Sequence, residues 1–255
     1  MRRTLALLVG LGLCWAGGAS AEPPPLTAEQ ILARHVEARG GLERLHALKS
    51  LRRTGHAVFP GVKVEMAVIE LRARPARLRV ENVLHGLVTI DAFDGQGAWK
   101  VRPFYGRKDP ERTSADEAKA LRLSADIEGP LVEPRAKGHT VSLLGVEELD
   151  GTPCYKLRVD LKWGDQLISH VDPETFMVLR ELQRTVIRGA EQFTEVDYGD
   201  YEKVAGVYVP MLEESGPRAS PSSEKSKVVY DRAEANVPVD DALFAFPGPA
   251  PRASR

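Results

Sequence analysis

The chain has 255 residues, with 35 Lys and Arg against 36 Asp and Glu, 43% hydrophobic residues and two cysteines. That balance excludes a disordered polyampholyte, a collagen-like repeat and a polytopic membrane protein. A formal net charge of -1 also lacks the basic field that a nucleic-acid binder or a polybasic membrane-surface protein requires.

The first 21 residues form a unit of their own. Arg2 and Arg3 precede an uncharged stretch that begins at Thr4 and carries Leu5, Leu7, Leu8 and Val9, and the small residues Ala19, Ser20 and Ala21 close it before Glu22. This is the order of a secretory signal peptide cleaved after Ala21. An uncleaved anchor is the competing reading, because the uncharged stretch approaches the ~20 residues of a membrane span. Lipid attachment at Cys14 is disfavoured by Leu13, where a small residue is wanted. Cleavage leaves an exported domain of net charge -3, since two arginines and no acid are lost. It also leaves Cys154 without an internal disulfide partner, so stability rests on burial.

Residues 22–27 contain Pro23, Pro24 and Pro25 and read as an extended leader, so the domain spans 28–247 and residues 248–255 form a flexible tail. Thr27 and Gln30 have capping-box spacing, Ile31, Leu32, His35 and Val36 lie on one helical face, and Gly40 and Gly41 stop the pattern, which predicts a helix from Ala28 to Arg39. Leu42, Leu45 and Leu48 predict a second, short helix. From Leu51 the period becomes two. Val62, Val64, Met66 and Val68, then Leu78 and Val80, then Val88, Ile90 and Ala92 alternate with polar residues, as half-buried antiparallel strands do. Asp94 and Gly95 mark a hairpin turn before Trp99 and Val101.

Ser114 with Glu117 repeats the capping-box spacing and predicts a helix from Ser114 to Ile127, inserted between strands. Tyr155, Leu157, Val159 and Leu161 give the clearest alternation. Strand patterns continue over 166–171, 176–187, 192–198, 207–213 and 225–230, with an exposed loop at 216–224. Nine to eleven strands with few helices between them predict a mainly β (α+β) fold built on one large antiparallel sheet.

No phosphate-binding loop, zinc-spaced cysteine pair, His-Glu-x-x-His pair or nucleophile elbow is present, so no cofactor, no metal and no catalytic activity is expected. His35, His46, His56, His85, His139 and His170 share no helix face. Asp197, Asp200 and Glu202 read as a solvated turn, and Cys154 as a small packing residue. A sheet of this size has an apolar face that two or three short helices cannot cover, so it curls and either fills its interior or encloses a hydrophobic cavity.

Several segments in order resemble the LolA-like family of periplasmic outer-membrane lipoprotein-sorting proteins. They are Ala92 to Trp99, Ala125 to Val132, Lys137 to Gly145, Asp150 and Gly151 with Tyr155 to Leu157, Asp172 to Thr175, Asp200 to Pro210, and Asn236 to Phe244. The resemblance implies an unclosed β-barrel with helices plugging a hydrophobic cavity, in a periplasmic carrier for lipoprotein acyl chains or other lipids. Inner- and outer-membrane transport proteins would be its partners. No arginine here, Arg52, Arg53 and Arg74 included, is matched to the one that controls release in dedicated carriers. The alternative is an envelope sensor of the same fold that detects lipoproteins and docks on a membrane protein. The expected lipid-binding wall is Val64, Met66, Val68, Leu78, Val80, Ile90, Trp99, Leu157, Val159, Met177 and Leu179. Core and cavity wall share this alternation, so the same residues fit either role.

Overall fold

The computed structural model describes residues 26–61 and 64–248. The expected signal peptide, most of the leader, Val62 and the tail beyond Gly248 lie outside the described residues. Helices α1 (Ala28–Ala38) and α2 (Leu42–Ala47) lead into a meander of β1 (Ser50–Val58), β2 (Met66–Ala73), β3 (Arg77–Leu84), β4 (Leu87–Phe93), β5 (Ala98–Arg102) and β6 (Arg107–Arg112). After α3 (Ala118–Ser124), a second meander runs through β7 (Thr140–Leu149), β8 (Thr152–Asp160), β9 (Gln166–Val171), β10 (Val178–Ile187), β11 (Ala190–Val204), β12 (Val207–Pro217) and β13 (Ser226–Ala235).

All thirteen strands belong to one unclosed antiparallel sheet. β1 pairs with β13, which joins the two meanders mid-sheet and leaves β6 and β7 as the two edges. This topology explains the plug. The chain has to pass from the β6 edge to the β7 edge, and it does so through α3 and residues 125–139 across the inner face. Ala118 and Ala125 pack on Leu78, Phe93 and Ala98 of β3, β4 and β5. Val132 joins Leu45 of α2 against Leu51, Val68, Val207 and Val209. Leu131 joins Ile31 of α1 against Leu157, Val159, Leu167 and Val171. Each such fully buried aliphatic side chain contributes roughly 1.5–3 kcal/mol.

Local chemistry sets the helix ends. Gln30 N–H donates to Thr27 Oγ1 (3.3 Å) and Thr27 N–H to Gln30 Oε1 (2.8 Å), the reciprocal cap expected for α1. Gly40 then turns the chain at a φ of +123°, and a Cβ there would stand 2.2 Å from the Gly206 carbonyl oxygen, so only glycine lets the α1–α2 joint rest on the β11–β12 hairpin.

Three expectations shift. The helix predicted from Ser114 to Ile127 is shorter: the Ser114–Glu117 box forms, at 3.2 Å in both directions, but α3 starts only at Ala118 and stops before Ala125. The strand expected from Val62 begins at Met66, which leaves Val64 in the preceding bend, 43% exposed. The strands beyond the expected number include the two edges. β6 reads Arg-Lys-Asp-Pro-Glu-Arg, a charged, proline-bearing strand that discourages further pairing, and β7 breaks its own alternation with an irregularity between Leu143 and Gly145.

Candidate functional site: the cavity beneath the sheet

Between the helical plug and the inner face lies a cavity of about 300 Å³. That is the lower end of small-molecule sites. Its apolar wall comprises Leu51, Leu123, Ile127, Leu131, Val178, Val196 and Val209. The polar lining comes from His35 of α1 and Arg39 at its C-terminal cap, from Asp126 and Glu128 of the crossing segment, and from Arg53, Arg72, Glu181, Tyr198, Tyr201 and Glu213 of the sheet.

The sheet side is held by an ion-pair network. Arg53, 1% exposed, donates from Nε and Nη2 to Glu70 Oε1 (3.0 and 2.8 Å), from Nη2 to Glu213 Oε1 (2.7 Å) and from Nη1 to the Pro210 carbonyl (2.6 Å). Its guanidinium lies 3.8 Å from the Tyr230 ring centroid, and Arg72 Nη2 adds a bond to Glu70 Oε2 at 3.0 Å. Register makes this possible, because Arg53 on β1 stands opposite Glu70 on β2. Burial alone would raise the Glu70 carboxyl, but the Arg53 and Arg72 charges outweigh it and hold it down at about 2.

The helix side carries two further buried polar groups. His35 Nδ1 lies 2.8 Å from the Phe176 carbonyl, which can only accept, so the ring holds its proton on Nδ1. Burial, reinforced by the Arg39 charge, pushes His35 down to about 4. Arg39 donates from Nε to the Tyr208 carbonyl (2.8 Å) and from Nη1 to the Glu128 carbonyl (3.1 Å), tying the crossing segment to both α1 and β12. That segment is also pinned by Lys137 Nζ to Asp126 Oδ2 (2.6 Å) and the Gly129 carbonyl (2.8 Å), and by a short Arg74–Glu128 pair.

His46, Glu128 and Glu133 bring three ligand-type atoms within 4.8 Å of one another. Glu128 already faces Arg74 and Lys137, so the trio reads as part of this ion-pair lattice, with His46 Nε2 2.7 Å from Glu133.

No protein-family model matches the chain, and no curated protein matches it in sequence. Solved structures do match in shape. A LolA superfamily protein from Nitrosomonas europaea superposes with a TM-score of 0.56 at 16% identity, covering 87% of this chain and 98% of that one. A DUF1329 family protein from Desulfovibrio piger gives 0.56 at 13% identity, over 86% and 97%. A domain described as an outer membrane lipoprotein-sorting protein domain, from Vibrio parahaemolyticus, gives 0.55 at 11% identity, over 85% and 97%.

The chain has the LolA-like fold.

Within this LolA-like sheet, the eleven residues expected as lipid-binding wall are dispersed, and none of them lines the 300 Å³ cavity. Leu157 and Val159 belong to the α1 core cluster, Val68 to the α2 cluster, and Leu78 with Val80 to the α3 cluster. Met66 and Ile90 are half-buried on β2 and β4, Met177 is buried in the turn before β10, and Val64 faces solvent. Leu179 faces the opposite side of the sheet, in an outer groove with Arg180 and Lys225, whose Nζ is held by Glu195 (2.7 Å) and Asp197 (2.6 Å). Asp197 is thus an ion-pair partner on the outer face, where the sequence suggests a solvated turn. Cys154 is fully buried, and burial pushes its thiol up, away from reactivity.

Trp99 has a structural task. Its Nε1 donates to the Phe244 carbonyl at 2.7 Å and fastens the C-terminal segment to β5. Trp99→Phe is expected to lower stability by about 1–2 kcal/mol in urea unfolding, because it leaves a buried carbonyl unpaired. Unchanged stability would show that this bond contributes nothing.

The charged residues that line the cavity, and Glu70 which pairs with two of them, carry a signal in the sequence. On β2, Glu70 and Arg72 are in phase with buried Val68, and on β12, Glu213 is in phase with Val209 and Met211. Charged residues at inward positions of a strand mark a polar interior.

Proposed function

We propose that this protein is an exported, periplasmic carrier that holds the acyl chain of a lipoprotein or another lipid between its curved sheet and the crossing segment, and conveys it towards the outer membrane. Cleavage after Ala21 would release it, and membrane proteins on either side would load and unload it. The observation that carries this reading is the cavity itself, with Ile127 and Leu131 of the crossing segment on one side and Val178, Val196 and Val209 of the sheet on the other. It has no need of reactive groups.

The volume equals about ten water molecules at ~30 Å³ each, enough for the end of one chain. A complete chain would require the crossing segment to move outwards. It would then reach the flanking clusters that contain Val68, Leu157 and Val159, three residues of the expected wall. At ~0.8 kcal/mol per buried CH₂, capture is readily favourable, so release is the step that needs control.

Displacement of a fluorescent acyl probe from the purified mature protein tests the proposal. Val196→Trp, which fills the cavity, is expected to weaken binding about tenfold or more, whereas Leu179→Trp, on the outer face, leaves it unchanged. Failure of the unaltered protein to bind the probe refutes the carrier reading.

A further inference from the structure

The inner face of the sheet beneath the cavity carries three carboxyls, Glu70, Glu181 and Glu213, but two guanidiniums, Arg53 and Arg72. Both guanidiniums are engaged by Glu70 and Glu213. Glu181 is the odd acid. It sits in β10, 5% exposed, in register with Val196 on β11 and Ser169 on β9. Its carboxyl accepts from Ser169 Oγ (3.4 Å) and from Tyr198 OH (3.2 Å). Among the described residues it has no cationic partner, and the charge that bears on it is that of Glu213, of the same sign.

The other cations round the cavity are held elsewhere. Arg39 is bonded to two carbonyls, and Arg74 and Lys137 face Glu128. His35 is neutral near neutral pH. A buried carboxylate without a cation is costly, and a shape-matched apolar residue such as neighbouring Val196 would avoid that cost. Glu181 nonetheless lines the cavity with two hydroxyl groups directed at it.

We propose that the amphiphile taken by this cavity carries a protonated amine in its head, and that the ammonium pairs with the Glu181 carboxylate beside the Tyr198 hydroxyl while the chain lies along Ile127, Leu131 and Val178. The inference rests on the carrier reading and narrows its ligand class to amine-headed amphiphiles. Burial raises the carboxyl above its ordinary range, and the hydrogen bonds from Tyr198, Ser169 and Gln183 offset this only in part. A proton held there in the free protein passes to solvent when the ammonium arrives. Two sources offer this chemistry: the head of an aminophospholipid, and the free N-terminal amine of a lipid-bearing peptide.

The experiment is calorimetric titration of the mature protein with dodecylammonium, dodecanoate and a neutral dodecyl glycol ether, each below its micelle concentration. The ammonium head is expected to bind about 10- to 100-fold more tightly than the neutral head, the worth of one hydrogen-bonded buried charge. Glu181→Gln should abolish the preference, so that the ammonium and the neutral head bind the variant alike. Equal binding of all three heads, a preference for dodecanoate, or an equal loss of all three in Glu181→Gln would overturn the inference while sparing the carrier. Binding of none of them would refute the carrier itself. The head-group series in the unaltered protein does not depend on the variant's folding. Lysophosphatidylethanolamine and a single-chain lipopeptide, each against its N-acetylated form, separate the two sources. Acetylation should weaken whichever source the cavity takes, and no weakening in either pair contradicts the amine assignment.

Discussion

Arg53→Ala is expected to cost about 3–5 kcal/mol of folding stability, read as a lower urea midpoint at an unchanged slope. Arg53 is buried between Glu70, Glu213, the Pro210 carbonyl and the Tyr230 ring. Removing it strands Glu70 and Glu213 beneath the plug, with Arg72 as the remaining cation of the network. The cost is that of a charge left unpaired in a dry place, which exceeds the net worth of the pair. The double variant Arg53→Met with Glu70→Met should accordingly lose less than Arg53→Ala alone. A single-variant loss under about 1 kcal/mol would mean that water reaches the network and screens it.

The second large effect is on acid stability. His35 has a folded-state pKa of about 4, against about 6.5 in an unfolded chain. Between these values the unfolded chain binds the proton and the folded one does not, so stability falls as pH falls. The His35 contribution is fully present above pH 6.5 and is lost by pH 4, a change of about 3 kcal/mol. Glu70, held down at about 2, acts in a lower window: its contribution is present above its unfolded value of 4.5 and is lost as pH falls towards 2. Glu181 works in the opposite sense. Its raised folded-state pKa gives a contribution present below pH 4.5 and lost as pH rises through the folded value. Comparing wild type with His35→Gln isolates the histidine. The variant should show a flatter loss of stability from pH 6.5 to 4, and identical pH profiles would contradict the assignment of a buried neutral ring.

Much of the architecture was legible because its physics is local. Helix α1 lies within a residue of expectation, since Thr27, Gln30, Gly40 and Gly41 mark both its ends. The strand through Tyr155, Leu157 and Val159 appears as β8, and the Asp94 turn closes through bonds from Gln96 and Gly97 N–H to Asp94 Oδ1. The edge strands were not legible, because an edge is selected against further pairing and β6 is accordingly charged. The site was hidden for a different reason. Alternation reports which residues turn inwards but not what they meet there, and it gives Leu157 in the α1 cluster the same signature as Val196 in the cavity wall. The ion-pair network on the sheet side of the cavity could have been found from Glu70, Arg72 and Glu213, three charged residues in step with buried ones. That Glu70 and Glu213 pair with Arg53 depends on β1 meeting β2 and on β12 lying two strands away across the sheet, which no local pattern encodes.

The carrier function turns on where an acyl chain binds. Its most direct test is photo-crosslinking of the mature protein with a fatty acid carrying a diazirine near the chain end, followed by mass-spectrometric mapping of the labelled residues. Labels on Leu123, Ile127, Leu131, Val178 or Val196 are the predicted result. Labels confined to the outer groove around Leu179, Leu212 and Pro221, or none above an unfolded control, would contradict it.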